Sequence, residues 1–309
     1  MNHMKYLVKT LLLFFTFSLL SCGSQEKILV QTKVIRDTVY VSNINPKYQV
    51  VTEAHLPGYV VSNKNFPSVA FNERIRFLIL HYTVSDYPTS VKILARKGQV
   101  SSHYLVTDQP NDTIDILVSE DKRAWHAGVS YWNGFENLND SSIGIEIVNP
   151  GYTKVKDSMV FTPFPEYQIR KVATLSKNII DRYEIDPVNV IGHSDIAPLR
   201  KQDPGPAFPW KRLYNEYNIG AWYDDTDKEY FLSQYVPDTY PYNSPLEIQK
   251  ALQKYGYKID TTNSWDKNTT LTVRAFQWHF RPEKADGVVD AETWAILQAL
   301  NKKYRSDKK

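Results

Sequence analysis

Phe77-Leu-Ile-Leu80 is a short, unbroken apolar run that ends on an imidazole, His81. Runs of this kind recur downstream as His103-Tyr-Leu-Val106, Ile114-Asp-Ile-Leu-Val118, Ile143-Gly-Ile-Glu-Ile-Val148 and Val188-Asn-Val-Ile191. Each has the length, branched residues and polar or turn boundaries expected of a strand. Between the last two, Ile169, Val172, Leu175, Ile179, Ile180 and Tyr183 recur at three- and four-residue steps, which predicts a helix over Pro165 to Tyr183 with one buried stripe. A shorter helix is expected from Ser90 to Lys97, stopped by Gly98. Strands interleaved with helices predict an α/β class in which a mixed central sheet is covered by helices, over residues 48–236.

Working outward, Pro237-Asp-Thr-Tyr-Pro-Tyr-Asn-Ser-Pro245 reads as a stiff linker (237–245). Beyond it, three apolar faces repeat with helical spacing: Ile248, Leu252 and Tyr255; Val273, Phe276 and Phe280; Trp294, Leu297 and Tyr304. Asp286-Gly287 supplies a turn and Asp290 is placed to cap the last helix. A small all-α three-helix domain is expected over 246–304.

Towards the N-terminus, Lys5 and Lys9 precede Leu11-Leu-Leu-Phe-Phe-Thr-Phe-Ser-Leu-Leu20. The apolar run is about half the length a membrane-spanning helix needs. It reads as the core of a secretory signal peptide over residues 1–21. Cys22 follows at once and looks like the lipid-bearing cysteine of a bacterial lipobox. Several acyl chains there, palmitate included, would anchor the chain to a membrane without spanning it. Residues 22–47 read as a tether.

The composition narrows the function. The chain has 309 residues, 42% hydrophobic and 23% charged, so it is long enough for two domains and is neither fibrous nor wholly disordered. Its net charge of +3 is small and scattered, which argues against a nucleic-acid partner. One cysteine excludes an internal disulfide framework and any cysteine-rich metal site. The 13% aromatic content suits sugar or peptide contact surfaces, with aromatic cores as the plainer explanation. No protein partner is implied, and nothing points to or against an oligomer.

Three of the seven histidines are set aside: His3 in the signal peptide, His55 in a loop, and His279 in the C-terminal helices with no acidic or histidine neighbour. His81 and His193 each end a strand, so their side chains can converge. Asp203, in Lys201-Gln-Asp-Pro-Gly-Pro206, sits ten residues past His193 in a turn able to fold back. Two imidazoles and a carboxylate suit zinc, with a fourth position left for water. Histidines at strand ends are more often simply satisfied polar residues, so spacing alone leaves this open.

Five blocks then resemble the zinc-dependent N-acetylmuramoyl-L-alanine amidases, the group that includes the peptidoglycan recognition proteins. They are Leu80-His-Tyr-Thr83, Ser101-Ser-His-Tyr104, Ala124-Trp-His-Ala-Gly128, Ile143-Gly-Ile-Glu146, and Gly192-His-Ser-Asp195 followed by Arg200-Lys-Gln-Asp-Pro-Gly-Pro206. The resemblance implies that His81, His193 and Asp203 bind Zn2+, and that Glu146 and Lys201 are catalytic in cutting the amide between muramic acid and L-alanine. Glu146 interrupts an apolar strand, where desolvation would raise its pKa towards a useful range, although strand alternation equally allows it to face solvent. Lys201 is placed to meet an oxyanion or to be an ordinary loop lysine. Tyr104, Trp125, His126 and Asn149 are candidates for substrate contact, with structural packing as the alternative, and His103 is either a hydrogen-bond partner near the metal or a strand residue.

The C-terminal helices resemble the three-helix peptidoglycan-binding domain, through Ile248-Gln-Lys-Ala-Leu252, Tyr255-Gly-Tyr257, Thr272-Val-Arg-Ala-Phe-Gln277 and Asp286-Gly-Val288 with Thr293-Trp294. Asp260-Thr261 stands where that domain usually has an aspartate–glycine turn. The expectation is a lipid-anchored hydrolase of the cell envelope, on the outer membrane facing the periplasm, acting on peptidoglycan or its muropeptides. The rivals are a non-catalytic receptor on the same fold, or a wall tether.

Overall fold

The computed structural model describes residues 54–56, 59–61, 68–156, 158–234 and 244–306. The expected signal peptide and tether, Cys22 and most of the proline-rich linker therefore lie outside the described residues. The chain forms two units, divided between Ala70 and Phe71. In the first, Ala54–Leu56 (β1) pairs antiparallel with Tyr59–Val61 (β2), so His55 lies in a strand and not in a loop.

The second unit is built on a five-stranded sheet. Its strands are Phe77–Tyr82 (β3), Tyr104–Val106 (β4), Ile114–Ile116 (β5), Ser142–Ile147 (β8) and Val190–Gly192 (β11). The order is β11-β3-β8-β4-β5, parallel except where β5 joins β4. Two small hairpins stand apart from it: Tyr131–Trp132 (β6) with Phe135–Glu136 (β7), and Tyr152–Val155 (β9) with Ser158–Phe161 (β10). β3 is buried along its whole length, which is why it reads as a continuous apolar run without alternation.

The first helix, Tyr87–Val91 (α1), is capped by Asp86, whose carboxylate accepts from Thr89 N–H at 3.0 Å, and it continues as a π-helical turn over Lys92–Arg96. It thus starts three residues before the expected Ser90, where proline at its first turn costs no hydrogen bond. Glu166–Tyr183 (α2) buries Ile169, Val172, Ala173, Ser176 and Ile179 along the expected stripe and ends where Glu184 turns left-handed. His193–Ile196 (α3), Trp210–Tyr217 (α4) and Asp225–Ser233 (α5) follow.

The C-terminal helices are Pro245–Tyr255 (α6), Lys267–Phe280 (α7) and Ala291–Arg305 (α8). Ser244, Asp266 and Asp290 cap them by accepting from Glu247, Thr269 and Thr293 N–H. They share one hydrophobic core with the sheet. Trp132 of β6 meets Tyr257 edge to face at 4.9 Å, and its indole N–H donates to Val188 C=O at 2.9 Å. Pro245 opens α6, so the end of the expected linker is already helix. No described helix is long and apolar enough to cross a membrane.

Candidate metal centre

Strand register brings the site together. Leu80 of β3 pairs with Gly192 of β11, so His81 and His193 both follow the same rung of the sheet. On the other side of β3, His81 pairs with Glu146 of β8, which puts their side chains on one face. Asp203 is returned to this edge by a loop whose carbonyl accepts from Ser194 N–H at 2.8 Å. That close approach requires Gly192: a Cβ there would lie 2.7 Å from Pro204 Cδ.

Among the described residues, one group of three offers metal-ligating atoms within mutual reach: His81, His193 and Asp203, all buried. The two Nδ1 atoms are 2.9 Å apart, and Asp203 Oδ2 lies 2.9 Å from His81 and 3.0 Å from His193. A tetrahedral zinc ion with bonds of about 2.0–2.2 Å has edges of roughly 3.3 Å, so the triangle needs to open only by tenths of an ångström. Two imidazole nitrogens and a carboxylate oxygen turned towards one point form a donor set that fits a divalent cation such as zinc.

The outer nitrogens are held in turn. His193 Nε2 donates to Ala127 C=O at 3.1 Å, leaving Nδ1 as the lone-pair donor. His81 Nε2 is 3.0 Å from His126 Nδ1, and His126 Nε2 is 3.2 Å from Ser142 Oγ. Behind them His103 Nδ1 accepts from Gly144 N–H at 3.0 Å, and its Nε2 donates to Lys122 C=O at 3.1 Å. Such outer partners set ring orientation and tautomer. The His126 ring fits only because residue 144 is glycine, where a Cβ would stand 2.5 Å from it. His126 therefore backs the ligand His81.

Electrostatics follow from burial. Burial, then the neighbouring His193, lowers His81 to about 4, so its ring is neutral near pH 7. Burial, then His81, also lowers His126 well below the ordinary histidine value. For Asp203, burial pushes upward, but the neighbouring His193 and His81 prevail and hold the carboxyl well below the usual range. Glu146 is raised to about 8, first by burial and then by Asp203's charge, against the pull of Lys201. Its Oε2 is buried without a hydrogen-bond partner. An unsatisfied carboxyl oxygen beside such a donor set is costly to keep.

A cleft opens over these groups, lined by Glu146, His193, Lys201 and Asp203 together with His126 and Trp125. Trp125 is half-exposed at its wall, with the Arg123 guanidinium 4.1 Å from its ring centroid.

Two expected substrate contacts are placed elsewhere. Tyr104 pairs with Ile145, so it shares the face opposite Glu146, and its buried hydroxyl donates to Glu120 at 2.5 Å. Asn149 is buried and fully engaged: Oδ1 accepts from Gly151 N–H at 2.8 Å, and Nδ2 donates to the carbonyls of Thr162 and Pro163. Its amide pins the β9–β10 hairpin and has no donor left for a peptide.

Sequence reasoning also passed over Arg200, whose guanidinium donates to Ala127 and Val129 C=O at 2.5 and 2.6 Å beside His193. Its place in the last motif block was the available signal. His279, set aside for want of an acidic neighbour, has one in space: Asp195, at 2.8 Å.

Comparison with known proteins agrees with this geometry. A family model described as N-acetylmuramoyl-L-alanine amidase matches residues 71–206, and one described as a peptidoglycan binding domain matches residues 242–297. The chain is 42% identical over 255 residues to the N-acetylmuramoyl-L-alanine amidase AmiD of Escherichia coli K12, covering 81% of this chain and 90% of AmiD. The structure of E. coli AmiD with anhydro-N-acetylmuramic acid-L-Ala-D-gamma-Glu-L-Lys matches with a TM-score of 0.76 at 40% identity, over 84% of this chain and 100% of that one. AmpDh3 of Pseudomonas aeruginosa, solved with an anhydromuramic pentapeptide, matches with a TM-score of 0.74 at 43% identity, over 80% of this chain and 99% of that one. The strand-end histidines, the returning aspartate and this likeness over most of the length of a relative lead to one conclusion: the chain belongs to the N-acetylmuramoyl-L-alanine amidases.

Proposed function

We propose that the chain cuts the amide between the lactyl group of N-acetylmuramic acid and the first L-alanine of the stem peptide, with zinc held by His81 Nδ1, His193 Nδ1 and Asp203 Oδ2. The observation that carries this reading is the convergence of those three atoms beside Glu146, whose Oε2 is buried without a hydrogen-bond partner. A bound zinc ion would supply Lewis acidity for the carbonyl and a water acidified towards a pKa of about 7.

The protein's own groups do the rest. Glu146 accepts a proton from the attacking water and returns it to the leaving amine. Its raised pKa suits that exchange, and a dication near Asp203 would counter Asp203's charge and draw the value towards neutrality. Lys201 brings an ammonium to the oxygen on which charge develops; its field already reaches both Glu146 and His81. Trp125 offers a flat apolar wall to the sugar or the peptide.

The substrates we assign are peptidoglycan and its muropeptides, since AmiD and AmpDh3 were each solved with an anhydromuropeptide. Residues 48–236 form the catalytic part and 246–304 the helical part. The basic start, apolar run and Cys22 support export as a lipoprotein, tethered through residues 22–47 to the outer membrane within the cell envelope. A receptor on the same fold would have no use for a complete ligand set, which favours the enzyme.

Incubation with anhydromuramyl-tripeptide should release free tripeptide by mass spectrometry. A chelator should abolish release and added zinc restore it. Turnover that persists in metal-free protein would overturn the metal assignment, and absence of release from zinc-loaded protein would overturn the substrate.

A further inference from the structure

We infer that the C-terminal helical part is a working portion of the metal centre, because Tyr257 and His279 grip Asp195 and through it set the position of the ligands His193 and Asp203. The inference rests on the reading of those residues as metal ligands.

Asp195 lies on α3 two residues after His193 and is 1% exposed. Its Oδ2 accepts from Gly192 N–H at 2.8 Å and from His279 Nδ1–H at 2.8 Å, while Oδ1 accepts from the Tyr257 hydroxyl at 2.5 Å. Two of its three donors therefore come from residues 62 and 84 positions away, in the helical part. A buried carboxylate makes its bonds or pays heavily in desolvation, so these contacts direct where the α3 turn can sit.

What that turn carries is the metal-ligand pair. The Gly192–Asp195 bond closes α3 around the peptide leading into His193. Ser194, between the ligand and Asp195, donates its N–H to Asp203 C=O at 2.8 Å. A shift of Asp195 is thus transmitted to one ligand through the chain and to the other through a single hydrogen bond.

The grip itself is rigid. The His279 ring is stacked between Trp210, at 3.9 Å, and Phe280, at 4.0 Å. Its Nε2 is buried without a partner, so no other hydrogen bond competes with Asp195 for its orientation. Tyr257 is fixed against Trp132. Neither residue lines the cleft, so both are positioning residues and not catalytic ones. A helical part that served only to adsorb the enzyme to the wall would leave the metal unaffected when altered. Asp195 makes the opposite prediction.

The test uses the full chain. Tyr257→Phe removes one hydroxyl, and His279→Phe keeps the ring stack but removes the donor. Ile296→Val, which trims a buried methyl in α8, is the control for loss of stability alone. Metal affinity is read by chelator competition, ligand geometry by the visible spectrum of Co2+-loaded protein, and kcat and KM on soluble anhydromuramyl-tripeptide. The double Tyr257→Phe/His279→Phe variant should bind metal 10–100-fold more weakly, shift the Co2+ bands, and lose kcat with KM nearly unchanged. A double variant that melts cooperatively yet keeps wild-type affinity and spectrum overturns the inference. So does an Ile296→Val control that weakens metal as much as Tyr257→Phe. If the double variant does not fold, Tyr257→Phe alone decides by the same readouts. Wild-type protein that takes up no stoichiometric Co2+ would instead refute the ligand assignment itself.

Discussion

Replacing Glu146 by Gln should make the metal-free protein more stable, and increasingly so as the pH rises. Burial and Asp203 lift this carboxyl from an ordinary 4.5 to about 8. The native state therefore keeps a proton that the unfolded chain gives up above pH 4.5. The penalty is absent in acid, grows as the pH climbs from 4.5 towards 8, and is complete beyond that. With those two values it is under about 1 kcal/mol at pH 5 and about 3 kcal/mol at pH 7. Gln has no proton to lose, and the fixed cost of its buried amide does not change with pH. The stability gap between variant and wild type, from denaturant titrations in chelator, should widen by about 2 kcal/mol between pH 5 and pH 7. A gap that stayed constant would mean that Glu146 is solvated as an ordinary carboxylate, and the argument for its role as proton carrier would fail. In the zinc-loaded protein the same substitution should lower kcat by about 10²–10⁴-fold.

Three further outcomes follow from other parts of the structure. Lys201→Met, which keeps the stem and removes the charge, should lower kcat by about 10²–10³-fold with little change in metal content; equal losses in KM and metal would make it a structural lysine. Gly144→Ala places a methyl 2.5 Å from the His126 ring, so His81 loses its backing; zinc affinity measured by chelator competition should fall about 10–100-fold, and an unchanged value would show that His126 does not orient the ligand. Asp290→Ala removes the α8 cap and a partner of the buried Arg281, and should cost about 2–3 kcal/mol in denaturant titration while leaving the Co2+ spectrum unaltered.

The candidate site was legible where chemistry and strand end coincide. His81, His193 and Glu146 sit at the ends of apolar runs or inside one, and a parallel sheet delivers the ends of neighbouring strands to one edge, so the motif blocks could be placed before any contact was known. Tyr104 shows the limit of that reasoning. Whether it faces the cleft depends on parity relative to Glu146, and parity is a property of the β4–β8 register, where Leu105 and not Tyr104 is opposite Glu146. Local alternation within one strand carries no such information. Asn149 fails for another reason: a buried amide at a strand exit is first required by the backbone it leaves behind, and here the β9–β10 hairpin uses all of it.

His279 has no acidic residue within its own helix. Its partner comes from across the molecule, and only the shared core of sheet and helices brings Asp195 to it. A histidine next to nothing acidic in sequence is ambiguous until the long-range packing is known. The same holds for Asp195, whose one local bond, from Gly192 N–H, closes the α3 turn as a cap would. Its other two bonds turn a local cap into a tie between parts of the chain that a proline-rich segment suggested were separate modules. Modularity inferred from composition speaks to the path of the chain. It does not tell whether the surfaces that meet afterwards bury a charge, and a buried carboxylate with two of its three donors on the far side is a contact that cannot be parted without loss on both sides.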